Sequence, residues 1–401
     1  MKNFKIYFLR FIFLIPLMFS LLSCRQTNKS LELVNDSIPV RDTDKNSPEP
    51  PNPAPPLTPE IMKFEIVFNT VPTKATAQPA KLKYNKNGWA SEEWDDNSLS
   101  ALKALQKLKT KFYTDGCGNK IAYTAAVAIN GRSNYNNGEI GLLVNNITYT
   151  QMKELIATGW DIENHSYYHE PYSNYNFGND RTKNIIALDT LILKKISYKM
   201  NGMVVPSDYS GFPKAAKEAG YVFSTSQGTF DGLEPAGKPV YKDVQDFDLA
   251  PVTFSSFNRM FYDNWAEMEN NVKKAIDVIV QKNNHYFRFA SHGIDEASYN
   301  RIIDYFEAKT NDKILFISTR EIMEYRLMTA LPISYHTSNN RLIVEINTAS
   351  LSARCRWKDI SFIVNSDAKI KSINVLNGID RATFNGESGL VNIFKQITTW
   401  N

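Results

Sequence analysis

Two of the five histidines in this 401-residue chain stand four apart in one short run, Asn164-His165-Ser166-Tyr167-Tyr168-His169. At that spacing two imidazoles share one face of a single helical turn, a common way to chelate one divalent cation. Upstream lies an acidic pair, Asp95-Asp96, and downstream a third histidine, His292, follows an aromatic run from Tyr286 to Phe289. Carboxylates and imidazoles together supply what hydrolysis at neutral pH needs. They can hold a cation with open positions for water and a carbonyl, and imidazole titrates where a proton donor is useful. The other two histidines, His285 and His336, lie outside this pattern and read as structural or surface residues.

The elements that must position these residues alternate from residue 61 to about 330. Leu99, Leu102, Leu105 and Leu108 mark a helix, and Ile121 to Ile129 reads as a buried strand. Thr150 is expected to cap a short helix closed by Gly159, with a strand at Trp160–Glu163 running into His165. Further strands are expected at Met203–Val205, Tyr221–Ser224, Leu249–Phe254, Tyr286–Ala290 and Lys313–Ile317. Helices are expected near 182–199, 212–219, 264–282 and 296–309. Such βα units predict an α/β fold with a mainly parallel sheet, closed as a barrel, whose chemistry sits at the C-terminal ends of strands. Asp95, Asp96, His165, Pro206 and His292 all fall at expected strand ends. Beyond residue 331 the pattern changes to short strands with turns such as Asn377-Gly378 and Asn385-Gly386, a small all-β module over 331–401 serving carbohydrate binding or packing.

The ordered set Trp94-Asp95-Asp96-Asn97, His165-Ser166-Tyr167-Tyr168-His169, Pro206-Ser207 and Ser291-His292-Gly293 resembles the NodB-type polysaccharide deacetylases, carbohydrate esterase family four. The run Gly159 to His169 is similar to that family's second motif almost throughout, and the likeness spans roughly residues 85–325. The resemblance implies an irregular (β/α) barrel and a metal-dependent removal of N-acetyl or O-acetyl groups from a polysaccharide or peptidoglycan-type substrate. It implies Asp96, His165 and His169 as ligands of one divalent metal, with zinc expected and cobalt, nickel or iron also suited to two imidazoles and a carboxylate. It further implies Asp95 as general base, His292 as general acid, the backbone N–H of Ser207 as oxyanion donor, and Ser166 as a brace for the histidine loop. The third motif departs from the family. Val204 stands where the family carries the arginine that pairs with the base, and Asp208 and Asn97 stand where it carries glycines. These departures point to an altered substrate, a different partner for Asp95, or a weakened, carbohydrate-binding relative. The family's tryptophan motif has no clear counterpart; Asp248-Leu249 lies near its place without matching.

The start of the chain concerns location. Lys2, Lys5 and Arg10 precede an apolar run from Phe11 to Leu22, too short for a comfortable span and read as a secretory signal over 1–23. Leu21-Leu22-Ser23-Cys24 resembles the lipobox of bacterial lipoproteins, which implies a lipidated Cys24, a membrane anchor and a place in the bacterial cell envelope, with the outer membrane expected. Acyl chains would hold it there at ~0.8 kcal/mol per buried methylene. An ordinary cleaved signal with a chance cysteine is the alternative. Residues 24–60 are polar and then proline-rich, a semi-stiff tether. Loss of residues 1–23 removes three basic and no acidic residues, so the formal charge of +4 falls to +1. A nearly neutral chain argues against nucleic acid as partner. Cys117 and Cys355 could form a disulfide or remain free thiols.

Overall fold

A computed structural model describes residues 60–132, 138–169, 180–227, 244–247 and 253–400, with the backbone of 230–231 and 234–235. The signal, Cys24 and most of the tether lie outside the described residues, as does part of the expected strand Leu249–Phe254. Among the described residues no helix is long and apolar enough to cross a membrane.

A ten-stranded sheet forms the centre, its neighbours running in parallel from Gly88–Trp94 through Ala126–Ile129, Asp161–Asn164, Gly202–Val204 and Phe223–Ser226 to Ser255–Asn258. On the other side of Gly88–Trp94 lies His285–Ser291, also parallel, and Ile314–Phe316 pairs with its first half. The sheet curls until one stretch touches both flanks: Ser255–Asn258 pairs with Phe223–Ser226, and Met260–Phe261 pairs with His285–Ser291. Strand Gly88–Trp94 is buried along its whole length. Its alternate residues Ser91, Glu93 and Asp95 turn into the curl, where Glu93 accepts a hydrogen bond from Thr225 Oγ1 at 3.0 Å, four strands away. The other face meets the helices. Glu92 accepts from the Tyr299 hydroxyl at 2.8 Å, and Trp94 stacks on Trp265.

Helices Ser100–Leu108, Tyr149–Ala157, Arg181–Ile196, Phe212–Glu218, Trp265–Ile279 and Glu296–Thr310 agree with the alternation to within a few residues. The cap of the second is Thr148, not Thr150, because Thr148 and Gln151 form a reciprocal capping box. The expected strand Ile121–Ile129 is two elements. Lys120–Ala122 pairs with Phe112–Thr114 in a hairpin, and only Ala126–Ile129 enters the central sheet. Helix Thr319–Thr329, buried nearly throughout, was not anticipated.

The β module is larger than the expected 331–401 segment. Ile61–Phe68 lies between Arg341–Asn347 and Ile370–Asn377, and Ala75–Pro79 pairs with Ile360–Ser366. Both ends of the described chain therefore build it, as two antiparallel four-stranded sheets around a core of Phe64, Ile66, Val344, Phe362 and Val391. Arg356 and Trp357 from this module reach the start of strand Asp161–Asn164. Asp161 accepts from Arg356 Nη1 at 2.7 Å, Trp357 Nε1 at 3.2 Å and the Tyr198 hydroxyl at 2.7 Å. The module thus braces, from below, the strand that carries His165. Cys117 and Cys355 are free thiols.

Glu92 gives this packing a measurable signature. Burial pushes its carboxyl up to about 8, and the Tyr299 hydrogen bond offsets only part of that. Between its ordinary 4.5 and 8 the carboxyl is neutral in the fold and ionised in the unfolded chain. Unfolding releases a proton there, so stability falls as pH rises, by about 1.4 kcal/mol per unit for this group. Glu92→Gln should remove that slope. Denaturant midpoints of variant and parent should diverge in the variant's favour from pH 5 to pH 8; parallel curves would refute the assignment.

Candidate active site

The parallel strands place their C-terminal ends on one rim, and the acidic pair, His165, Pro206 and His292 stand there. Asp95 and Asp96 follow Gly88–Trp94, His165 follows Asp161–Asn164, Pro206 follows Gly202–Val204, and His292 follows His285–Ser291. Asp96 and Asn97 have φ of 57°, and Asp208 has φ of 54°. Asn97 and Asp208 thus stand in the left-handed region, which Asn and Asp tolerate best among residues with a Cβ.

Asp96 is the hub. Its Oδ1 lies 3.4 Å from His165 Nε2 and 3.8 Å from His169 Nε2, and its Oδ2 lies 3.4 Å from His292 Nε2. The spacing of His165 and His169 does not come from a helical turn. Residues 165–169 form a loop that turns at Ser166, whose φ is 66°. Ser166 Oγ donates to the Tyr168 carbonyl at 2.6 Å, and Asn184 Oδ1 accepts from the Tyr167 and Tyr168 amides at 2.6 and 3.2 Å. These bonds hold the loop so that the two rings face each other edge-on at 5.0 Å.

The donor set suits a cation. One carboxylate oxygen and two imidazole nitrogens, from Asp96, His165 and His169, lie within 4.8 Å of one another. Among the described residues, Asp96 Oδ1 is buried without a hydrogen-bond partner. The His165 ring is oriented by its Nδ1, 2.8 Å from the Val204 carbonyl, which places the proton on Nδ1 and leaves Nε2 free to ligate. Burial pushes the Asp96 carboxyl up, but His165, His169 and His292 outweigh it and hold the group well below the carboxylate range. Burial likewise pushes His165 down, and Asp96, Asp95 and the Val204 carbonyl reverse that. An excess of negative charge faces the imidazoles, the condition a cation would relieve.

The partner of Asp95 is Arg259, which lies between strands Ser255–Asn258 and Met260–Phe261. Arg259 donates Nη1 to Asp95 Oδ1 at 2.7 Å and Nη2 to Oδ2 at 2.6 Å, a bidentate pair with both residues about 2 % exposed. Burial pushes the Asp95 carboxyl up, yet Arg259 and then His165 outweigh it and leave it below its ordinary value. Of the outcomes expected from Val204, the structure shows a different partner for Asp95.

His292 has a partner that sequence reasoning missed. Its Nδ1 lies 3.1 Å from Asp263 Oδ2, and its backbone amide donates to Asp263 Oδ1 at 3.2 Å. The ring of Phe261 packs edge-on against His292 at 4.9 Å, and Trp265 Nε1 donates to the Gly293 carbonyl at 2.8 Å. Arg259, Phe261 and Asp263 thus serve both ends of the site at a period of two. That alternation, ahead of Asn264 as helix cap and Trp265, was the available signal. The strand expected at Leu249–Phe254 obscured it, because the structure has two short strands further on, Ser255–Asn258 and Met260–Phe261, with Arg259 between them. Ser207 is exposed on the rim in the turn Pro206–Asp208, with φ of 48°. Asp208 holds that turn by accepting from the Ser226 hydroxyl and, at 2.8 Å, from the Gln227 amide. Below the rim Glu163 is fully buried, neither of its oxygens has a hydrogen-bond partner among the described residues, and burial pushes its carboxyl well up. His285 pairs instead with Asp246 at 2.8 Å, and His336 lies exposed on the β module.

No protein-family model and no curated protein matches the sequence. Among solved structures the chain is similar to the Xyl-CE4 domain of a multidomain xylanase from the hindgut metagenome of Trinervitermes trinervoides. The identity is 13%, covering 59% of this chain and 90% of that one at a TM-score of 0.36. It is also similar to a family 4 carbohydrate esterase from Streptomyces lividans, at 13% identity, 57% and 92% coverage and a TM-score of 0.35. A third is the peptidoglycan deacetylase PdaC from Bacillus subtilis, at 11% identity, 60% and 92% coverage and a TM-score of 0.36.

Proposed function

We propose that this chain is a metal-dependent carbohydrate deacetylase, hydrolysing N-acetyl or O-acetyl groups of a polysaccharide or peptidoglycan-type glycan. One observation carries the reading: the Asp96 carboxylate faces His165 and His169 on one oxygen and His292 on the other, beside an Asp95 locked by Arg259. The motif order that resembles the NodB-type deacetylases supports it. A divalent ion held by Asp96, His165 and His169, zinc by preference, would supply Lewis acidity to the acetyl carbonyl and acidify a water. Asp95, kept ionised by Arg259, is the proton acceptor of the site. The Ser207 amide donates to the developing oxyanion. His292, oriented through Nδ1 by Asp263, presents Nε2 to the site and gives a proton to the departing amine or alkoxide. The binder alternative rested on the missing arginine, and Arg259 removes that reason. We further propose that lipidated Cys24 and the proline-rich tether hold the catalytic part at a bacterial envelope membrane.

The test is acetate release by the metal-loaded protein from acetylated chito-oligosaccharides, peptidoglycan and acetyl-xylan. At least one should yield acetate, and a chelator should stop it. Bound metal with no acetate from any of the three would replace the enzyme by a glycan binder.

A further inference from the structure

Glu93 and Arg288 have no part in the chemistry above, yet both are buried charges directly under it. Glu93 stands two residues before Asp95 on the same face of strand Gly88–Trp94. Its Oε1 accepts from Arg288 Nη2, and its Oε2 accepts from Arg259 Nη1 at 3.1 Å and Thr225 Oγ1 at 3.0 Å. Arg259 Nη1 is therefore shared between Glu93 and Asp95. Among the described residues the Arg259 Nε has no hydrogen-bond partner, so the carboxylates of Glu93 and Asp95, with the Phe261 ring 5.3 Å away, hold the guanidinium. Glu93, Asp95, Arg259 and Arg288 are each no more than 2 % exposed.

We propose that Arg288, Glu93, Arg259 and Asp95 form a buried ladder of alternating charge in which Glu93 is the positioning residue for the catalytic base. Resting on the deacetylase reading, the ladder explains how an arginine from the break between strands Ser255–Asn258 and Met260–Phe261 is held in place against Asp95. A bidentate pair fixes the two groups relative to each other but lets them pivot together. A second carboxylate, anchored by Thr225 and Arg288, removes the pivot. Buried charges are costly unless opposed, and here two acids meet two arginines, although Arg288 reaches Glu93 through Nη2 alone, its Nε and Nη1 having no hydrogen-bond partner among the described residues.

The test compares Glu93→Gln, Glu93→Asp and Glu93→Gln/Arg288→Met with the parent, as the zinc-loaded full chain in detergent, by crystal structure and steady-state kinetics. In Glu93→Gln the Arg259–Asp95 pair should lose at least one of its two contacts. Its kcat should fall on the order of ten-fold or more at nearly unchanged KM and metal content, since small misplacements of reacting groups carry losses of that size. Glu93→Asp should recover part of the kcat. The double variant, with its charge balance restored, should regain thermal stability but not kcat. Retention of both Arg259–Asp95 contacts in Glu93→Gln would overturn the ladder, as would return of kcat together with stability in the double variant. Should the parent release no acetate, the deacetylase reading fails alone, and movement or retention of Arg259 still decides the ladder.

Discussion

Asp95→Asn should reduce acetate release by about a thousand-fold while leaving one metal ion bound per chain, and His169→Ala should lose both. Removal of a positioned general base costs about 10²–10⁴ in rate. Asparagine keeps the shape of Asp95 and one acceptor for Arg259, but it cannot take a proton from water. It leaves the donor set of Asp96, His165 and His169 untouched. His169 is different in kind, because its Nε2 is one of the three atoms facing the same space. Metal content by elemental analysis and acetate by coupled assay separate the roles. Equal metal loss in the two variants would refute the division between base and ligand.

Arg259→Met should be the most destabilising of these changes. It strands Asp95 and leaves Glu93 with only Arg288 and Thr225, all in a buried setting. Breaking a buried ion pair from one side costs about 3–5 kcal/mol. The denaturant midpoint should therefore fall sharply, and kcat should fall by on the order of a hundred-fold as Asp95 loses its orientation. Arg259→Lys separates the two effects. Lysine keeps the charge, so most of the stability should return, but a single ammonium cannot bind both carboxylate oxygens in the fork geometry, so kcat should stay low. Full recovery of turnover with lysine would show that Arg259 acts by charge alone.

The rim of the site was legible in the sequence because its motifs follow strands whose apolar runs are plain. Asp95, Asp96, His165 and His292 lie where the alternation of strands and helices placed them. Their supports were less legible, because support comes from residues distant in sequence. Arg259 reaches Asp95 across 164 positions, and Arg356 reaches Asp161 across 195. Neither belongs to a local pattern. Helical spacing also misled for His165 and His169, where a positive φ at Ser166 and the side chain of Asn184 replace the turn of helix. The β module was underestimated for a similar reason. Ile61–Phe68 reads as the start of the alternation, but its partners are Arg341–Asn347 and Ile370–Asn377.

The central claim is that Asp96, His165 and His169 hold one ion on which turnover depends, between Asp95 and His292. The most direct measurement is a titration of the chelated, refolding-competent protein with zinc or cobalt, following bound metal and acetate release on the same sample. The account predicts that acetate release rises in proportion to bound metal and saturates at one ion per chain, and that His169→Ala shows neither. One ion bound per chain with no acetate released, or acetate release that survives complete removal of metal, would contradict it.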